Sequence, residues 1–163
     1  MGETKNRQQQ AKAELDQKFE LSRPSRQILE DLAIECAKDP SPDNTFQYAF
    51  ALSKSPERSE LRYSVTILDG LVKEGYEHQV DCMYGAACAL YLMGEYQKAR
   101  QRCENILRSK PEHRLTMELH LASIEAKEQK DAKKLKDTAV GGAVAMGAIG
   151  VAAAVATALL SKK

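Results

Sequence analysis

Histidine and cysteine are the side chains in this sequence whose spacing could most directly announce catalysis or metal binding, and there are three of one and four of the other. His113 and His120 stand seven residues apart on what reads as one helix. No cysteine or carboxylate completes a nucleophile arrangement around them, so His78, His113 and His120 are expected at surface or helix-capping positions. Cys36, Cys82, Cys88 and Cys103 form no CxxC pair and have no histidine at zinc-ligand spacing. They fall inside apolar helical patterns and read as reduced core thiols of a cytosol-facing protein. Glycines 141, 142, 147 and 150 lack the preceding strand and the lysine that a phosphate cradle needs. The sequence therefore offers no catalytic residue, metal site or cofactor site, and the protein is expected not to be an enzyme.

What remains is binding, and composition limits the partners. A chain of 163 residues is about one domain, and a net charge of +1 sets up no field that would attract nucleic acid. Abundant Ala, Leu, Glu, Lys, Arg and Gln with 6% aromatic residues favour an all-α fold. The start, "MGETKNRQQQ", has no apolar stretch for secretion, and Asn6 stands where a myristoylation signal wants Ser or Thr. Export through the N-terminus is not expected.

The end of the chain differs from the rest. Residues 138–160 are 23 consecutive uncharged residues. As a helix they span about 34 Å, enough for a hydrocarbon core of about 30 Å. Eight strongly apolar residues give an insertion free energy of only about −2 to −5 kcal/mol, less what the four glycines subtract. A buried Ala-rich core helix is the competing assignment, but core helices of this length seldom lack a polar face. "KEQKDAKKLKD" precedes the run with five lysines, at 127, 130, 133, 134 and 136, and Lys162 and Lys163 follow it. A short tip crossing and a bulk left in the cytosol is the topology of a tail anchor. Lys133, Lys134, Lys136, Lys162 and Lys163 would flank the bilayer and attract anionic lipid, or form a plain solvated face. The spacings Ala143/Gly147 and Gly150/Ala154 would let two tails pack into a homo-oligomer, or are a by-product of an Ala/Gly-rich segment.

Helix starts and stops are legible between residues 25 and 136. Ser25 precedes Ile28, Leu29, Leu32 and Cys36 at helical spacing, and Asp39-Pro40 ends that helix. Ser41-Pro42 restarts the chain with Phe46, Ala49, Phe50 and Ser53 on one face. Ser55-Pro56 opens a third helix, whose stripe Leu61, Val65, Leu68, Val72 stops at Gly75. A fourth runs over about 77–93 to Gly94, a fifth over 96–109, and a sixth starts near His113. The expectation is a six-helix bundle over 25–137 with a transmembrane helix at 138–160, a basic tip at 161–163 and a flexible arm at 1–24.

A period near 34 residues per helix pair is the tetratricopeptide period. Ala87, Ala99, Cys103 and Pro111, with Gly94 and Tyr96 at the turn, match one such repeat, and Ala51 and Ser64 mark a degenerate earlier one. Small residues are needed where the two helices of a repeat cross. The segment "CMYGAACALYLM" is twelve residues without a charge, and a helix apolar all round must be covered on every side. Met83, Ala86, Ala87 and Leu90 are assigned to the partner helix of the repeat. Tyr48, Leu52, Tyr84, Cys88 and Tyr91, with Leu92, are assigned to a partner-binding groove, with burial in the core as the alternative for Cys88 and Leu92. Leu15, Phe19 and Leu21 are the large apolar groups of the polar N-terminal segment and the candidates to cover that groove. At millimolar effective concentration such an arm would compete with any partner.

Two repeats flanked by a helix on each side and followed by a tail anchor resemble the mitochondrial fission 1 protein family. "TFQYAFALSKS" is similar to that family's first-repeat helix, "LMGEYQKA" to its second-repeat turn and "GGAVAMGAIGVAAA" to its tail. The resemblance covers about residues 25–163. It implies a helical bundle facing the cytosol on mitochondrial outer and peroxisomal membranes, an adaptor for the dynamin-related fission GTPase or its bridging protein. It also implies an N-terminal arm that can lie over the concave groove, although the first 24 residues are longer and more polar than the family pattern. The alternative function is an outer-membrane receptor for import peptides or chaperone tails. Clamps for chaperone tails need cations to hold a carboxylate, and "CMYGAACALYLM" has none.

Overall fold

A computed structural model describes the backbone of residues 2–160 and the side chains of residues 2–141. The described residues form seven helices in chain order: α1 (Gly2–Leu21), α2 (Arg26–Lys38), α3 (Pro42–Leu52), α4 (Arg58–Lys73), α5 (Gln79–Leu92), α6 (Tyr96–Ser109) and α7 (Arg114–Leu160). The fold is all-α. Helices α2 to α7 are the six expected ones, with α3/α4 and α5/α6 as the two repeats.

Local chemistry sets the ends of these helices. The Ser25 and Ser41 hydroxyls each accept the third backbone N–H of the helix they open, from Ile28 and Asn44, at 3.2 Å. Pro42 then occupies the first turn of α3. Gly75 and Gly94, both at φ +78°, end α4 and α5 in the left-handed conformation. Behind them Tyr76 and Glu95 N–H reach back to the Leu71 and Leu90 carbonyls at 3.0 and 2.9 Å, which is the Schellman geometry. The opening of α4 departs from expectation. Its N-cap is Glu57, without a side-chain cap, while the buried Ser55 accepts from Glu57 N–H at 3.0 Å and donates to Glu60 at 2.6 Å. The buried stripe of α4 is accordingly Leu61, Ser64, Leu68 and Leu71, with Val65 and Val72 half-buried. His113 caps α7, its Nδ1 accepting Thr116 N–H at 3.3 Å and meeting the buried Thr116 hydroxyl at 2.7 Å.

The segment expected as a flexible arm forms α1, a seventh helix. Ala11, Leu15 and Phe19 recur every four residues and are buried, and i,i+4 pairs support the exposed side: Gln10 with Glu14 at 2.8 Å, Lys12 with Asp16 at 2.6 Å. Too few apolar groups are present to fold the helix alone, but three in a row suffice to dock it on a core that already exists. Leu21, at 81% exposure, makes no such contact.

The chain divides into two compact units, Met1–Lys127 and Glu128–Lys163. The first includes α1 and ends just after Ala126, the last buried residue of α7 among those whose side chains are described, so its limits differ from the expected 25–137. Between 128 and 141 every side chain is exposed, Lys130, Lys133, Lys134 and Lys136 among them. Among the described residues no helix is long and apolar enough to cross a membrane. From residue 142 onward the side chains of the expected span lie outside the description, and so do the basic tip and Lys162 and Lys163 altogether.

Candidate partner-binding site

Helix α5 is buried on all sides, and its two sides enter two cores. Cys82 and Ala86 join Ala49 of α3 and Leu68 and Leu71 of α4. Tyr84, Ala87, Cys88, Leu90 and Tyr91 join Leu15 and Phe19 of α1, Ala99, Cys103 and Ile106 of α6, and Leu119, Ala122 and Ala126 of α7. Ala87, Ala99, Cys103 and Ser64 are fully buried, whereas Ala51 is half-buried and faces an open groove described below. Tyr96 stacks edge-on against Tyr91 at 5.2 Å beside the Gly94 turn, and Pro111 is exposed after α6.

Of the five assigned groove residues, three are together and covered. The Phe19 ring lies 5.8 Å from that of Tyr91, whose hydroxyl donates to Asp16 Oδ1 at 2.7 Å. Tyr84 is 7% exposed, with its ring edge-on to His113 at 6.1 Å, and Cys88 is fully buried. Burial, followed by the Asp16 hydrogen bond, raises the Tyr91 pKa, and burial raises that of Tyr84. Burial likewise pushes the Cys88 thiol up to about 12. Their hydroxyls therefore do not need the wet groove assumed from sequence. Leu52 is buried at 1% exposure. Tyr48 does not join the cluster: it is half-buried, and its pKa is raised by burial and then by the neighbouring Tyr63 and Glu60 of α4.

Charged contacts to α7 flank the buried stripe of α1. Lys5 pairs with the buried Glu125 of α7, and Lys18 pairs bidentately with Glu118 at 2.7 and 2.8 Å. Lys5 meets the later residue and Lys18 the earlier, so α1 and α7 are antiparallel.

The open groove lies beside α1 instead of beneath it. About 460 Å³ is lined by Leu21, Ile28, Leu32, Phe46, Phe50 and Ala51, with Arg23 and Lys54 at the rim. Lys54 Nζ sits 4.5 Å over the Phe50 ring. This surface comes from the end of α1, the first turns of α2 and the α3 face named in the sequence. Sequence reasoning missed it because Ile28 reads as core from its spacing, yet it is 51% exposed.

Gly85 was also missed. A Cβ there would lie 2.9 Å from Leu68 Cδ1 and 3.0 Å from Phe50 Cδ2, so the glycine permits the close approach of α3 and α4 to α5. An isolated glycine inside a helical pattern was the available signal. Among the described residues no group of three His, Cys, Asp or Glu could hold a metal ion. His78 stands exposed between Glu77 and Asp81, and His120 meets Glu104 at 3.3 Å.

No family model matches the chain. It is 28% identical over 143 residues to the mitochondrial fission 1 protein of Debaryomyces hansenii, covering 88% of this chain and 89% of that one. To the mitochondrial fission 1 protein of Yarrowia lipolytica it is 31% identical over 118 residues, 72% of each chain. In structure it is similar to yeast Fis1 crystallised with an Mdv1 fragment containing the N-terminal extension and coiled-coil domains. There the TM-score is 0.60 at 26% identity, over 67% of this chain and 88% of that one. An all-α repeat pair with matching sequence over most of its length places the chain in the mitochondrial fission 1 protein family.

Proposed function

We propose that this protein is a tail-anchored adaptor on the cytosolic face of the mitochondrial outer membrane and of peroxisomes. It recruits the dynamin-related fission GTPase through a bridging protein. The observation that carries the reading is the open apolar groove between α2 and α3, rimmed by Arg23 and Lys54 and bordered by the end of α1. Its shape and chemistry suit the apolar face of an amphipathic helix carrying acidic residues. A relative crystallised with an Mdv1 fragment supports a bridging partner. Helix α1, docked over Tyr84, Cys88 and Tyr91, then sets how much of α5 and α7 a partner reaches, and the lysines near 133–136 favour an anionic membrane surface.

Binding of the bridging protein to the full chain in a mild detergent tests this. Ile28→Glu places a charge in the groove at a half-exposed site and should weaken binding at least tenfold without loss of helicity. Deleting residues 1–18, which bares Tyr84 and Tyr91 but keeps Leu21 in the groove wall, should strengthen it. Unchanged affinity in both variants would refute the groove. Deleting residues 138–163 should release the protein from membranes on cell fractionation; retention there would refute the anchor.

A further inference from the structure

A second open apolar surface lies where α6 gives way to α7, and it differs from the α2/α3 groove in what it can hold. Leu107, Pro111, Met117 and Leu121 line a notch of about 290 Å³, with His120 and with Thr4 and Arg7 of α1 as its polar wall. It shares no lining residue with the groove. Met117 is 40% exposed and Leu107 and Leu121 are half-buried, so the apolar wall meets water. An amphipathic helix docks through anchors at i, i+3 or i+4 and i+7, spread over about 10 Å. A cleft of this size, at the lower limit of small-ligand sites, takes one chain end instead. The thioether of Met117 adapts to fill around it.

The polar wall holds a cation without a partner. On α1, Lys5, Lys12 and Lys18 each pair with a carboxylate, whereas the exposed Arg7 has none among the described residues. Arg108 and Lys110 adjoin Leu107 and Pro111 in sequence, and Arg114 precedes Met117 by about one turn; all three are exposed and equally unpaired. Of the nearby carboxylates, Glu104 is held by Arg100 at 2.8 Å and by His120 at 3.3 Å, and Glu118 by Lys18. Glu3 and Glu112 are left to oppose the cations. An apolar cleft for one chain beside an unpaired guanidinium selects a single-chain amphiphile with an anionic head. A carboxylate matches the guanidinium fork in two parallel hydrogen bonds, and a two-chain phospholipid has one chain too many for the notch.

We propose that this notch binds a medium-chain fatty-acid anion, its hydrocarbon end among Leu107, Pro111, Met117 and Leu121 and its carboxylate on Arg7 with the Thr4 hydroxyl beside it. One bound chain touches α1, α6 and α7 together. It leaves the α2/α3 groove open, so the two sites can be filled at the same time.

Photolabelling of the full chain in a mild detergent tests this, with decanoate carrying a diazirine near its methyl end and mass spectrometry of the labelled peptides. Label should concentrate on residues 105–121, about tenfold above the residues of the α2/α3 groove. Unlabelled acids from butanoate to dodecanoate should displace it with an affinity that rises up to about fourfold per added methylene and levels once the notch is full. Decanol and decyltrimethylammonium should compete about tenfold less well than decanoate. Arg7→Glu, at an exposed site that the fold does not need, should weaken decanoate about tenfold and leave decanol unchanged. Leu121→Trp, with helicity retained in circular dichroism, should remove the label by filling the notch. Affinity that keeps climbing with chain length, or equal competition by decyltrimethylammonium, would mean plain partition and overturn the proposal. Displacement by an acidic peptide with a single leucine, or by phosphatidylserine vesicles, where decanoate fails would also overturn it and assign the notch to a protein or a membrane.

Discussion

Truncating Leu15 to alanine should free α1 and leave the rest of the domain closed. Leu15 is 2% exposed and packs in the cluster with Tyr91, Leu119 and Ala122. A fully buried leucine contributes about 1.5–3 kcal/mol, and its truncation in a rigid core costs about 2–5 kcal/mol including the cavity. Helix α1 is a docked outer element that can leave, so the loss is limited to its own docking energy, and we expect about 2–3 kcal/mol at this site. At 1.4 kcal/mol per tenfold that multiplies the undocked population about 30- to 150-fold. Amide hydrogen exchange on the full chain reads it directly: protection of residues 4–20 should fall by that factor while amides in α4, α5 and α6 change little. Leu21→Ala, at an 81% exposed site, is the matched control and should leave exchange unaltered. Faster exchange throughout the domain would mean that α1 is part of one cooperative core. Unchanged protection would mean that its ion pairs, not its apolar stripe, hold it.

Ala99→Leu or Ala87→Leu should destabilise the domain by about 1–3 kcal/mol in denaturant melts, since both sites are fully buried at helix contacts. Gly85→Val should destabilise similarly, and Gly85→Ala less, because about 1 kcal/mol of helix propensity offsets part of the 2.9 Å contact with Leu68. Maleimide labelling should modify the half-buried Cys36 first and reach Cys82, Cys88 and Cys103 only on unfolding, as mass spectrometry of peptides will show. Burial raises the Cys82 thiol to about 11 and the Cys88 thiol to about 12 from 9.0. The unfolded chain therefore ionises first on raising the pH, and stability should be full below about pH 9 and fall above it in pH-dependent melts.

The caps of α2 and α3 and the glycine stops of α4 and α5 were readable because each is a local contest between a side chain and its own backbone. Ser25, Ser41, Gly75 and Gly94 need no distant partner to do their work. Helix α1 was not readable in that way. Ala11, Leu15 and Phe19 carry the four-residue period, but the free energy that orders them comes from Tyr91 and Leu119, about 75 to 105 residues away. The same dependence placed the open groove elsewhere than expected. Tyr84, Cys88 and Tyr91 share one core, but Ala87 and Leu90, expected on the opposite side of α5, enter it too, and whether that side is groove or core is decided by α1 and α7, not by α5. Tyr48 and Ile28 failed for the complementary reason, since helical spacing says that a residue lies on a face but not which neighbour that face meets.

The pairing of α1 with α7 has a consequence for how the chain is made. Lys5 finds Glu125 across 120 residues and Lys18 finds Glu118 across 100. During synthesis α1 leaves the ribosome well before α7, and thus finds its place only after every element between has been produced. At about 5–20 residues per second the wait is about 5 to 25 seconds. A strongly apolar α1 would spend that time as a sticky leader on a half-made protein. Its polar composition, three buried contacts on a helix otherwise rich in Lys, Glu and Gln, keeps it soluble until α7 arrives to receive it.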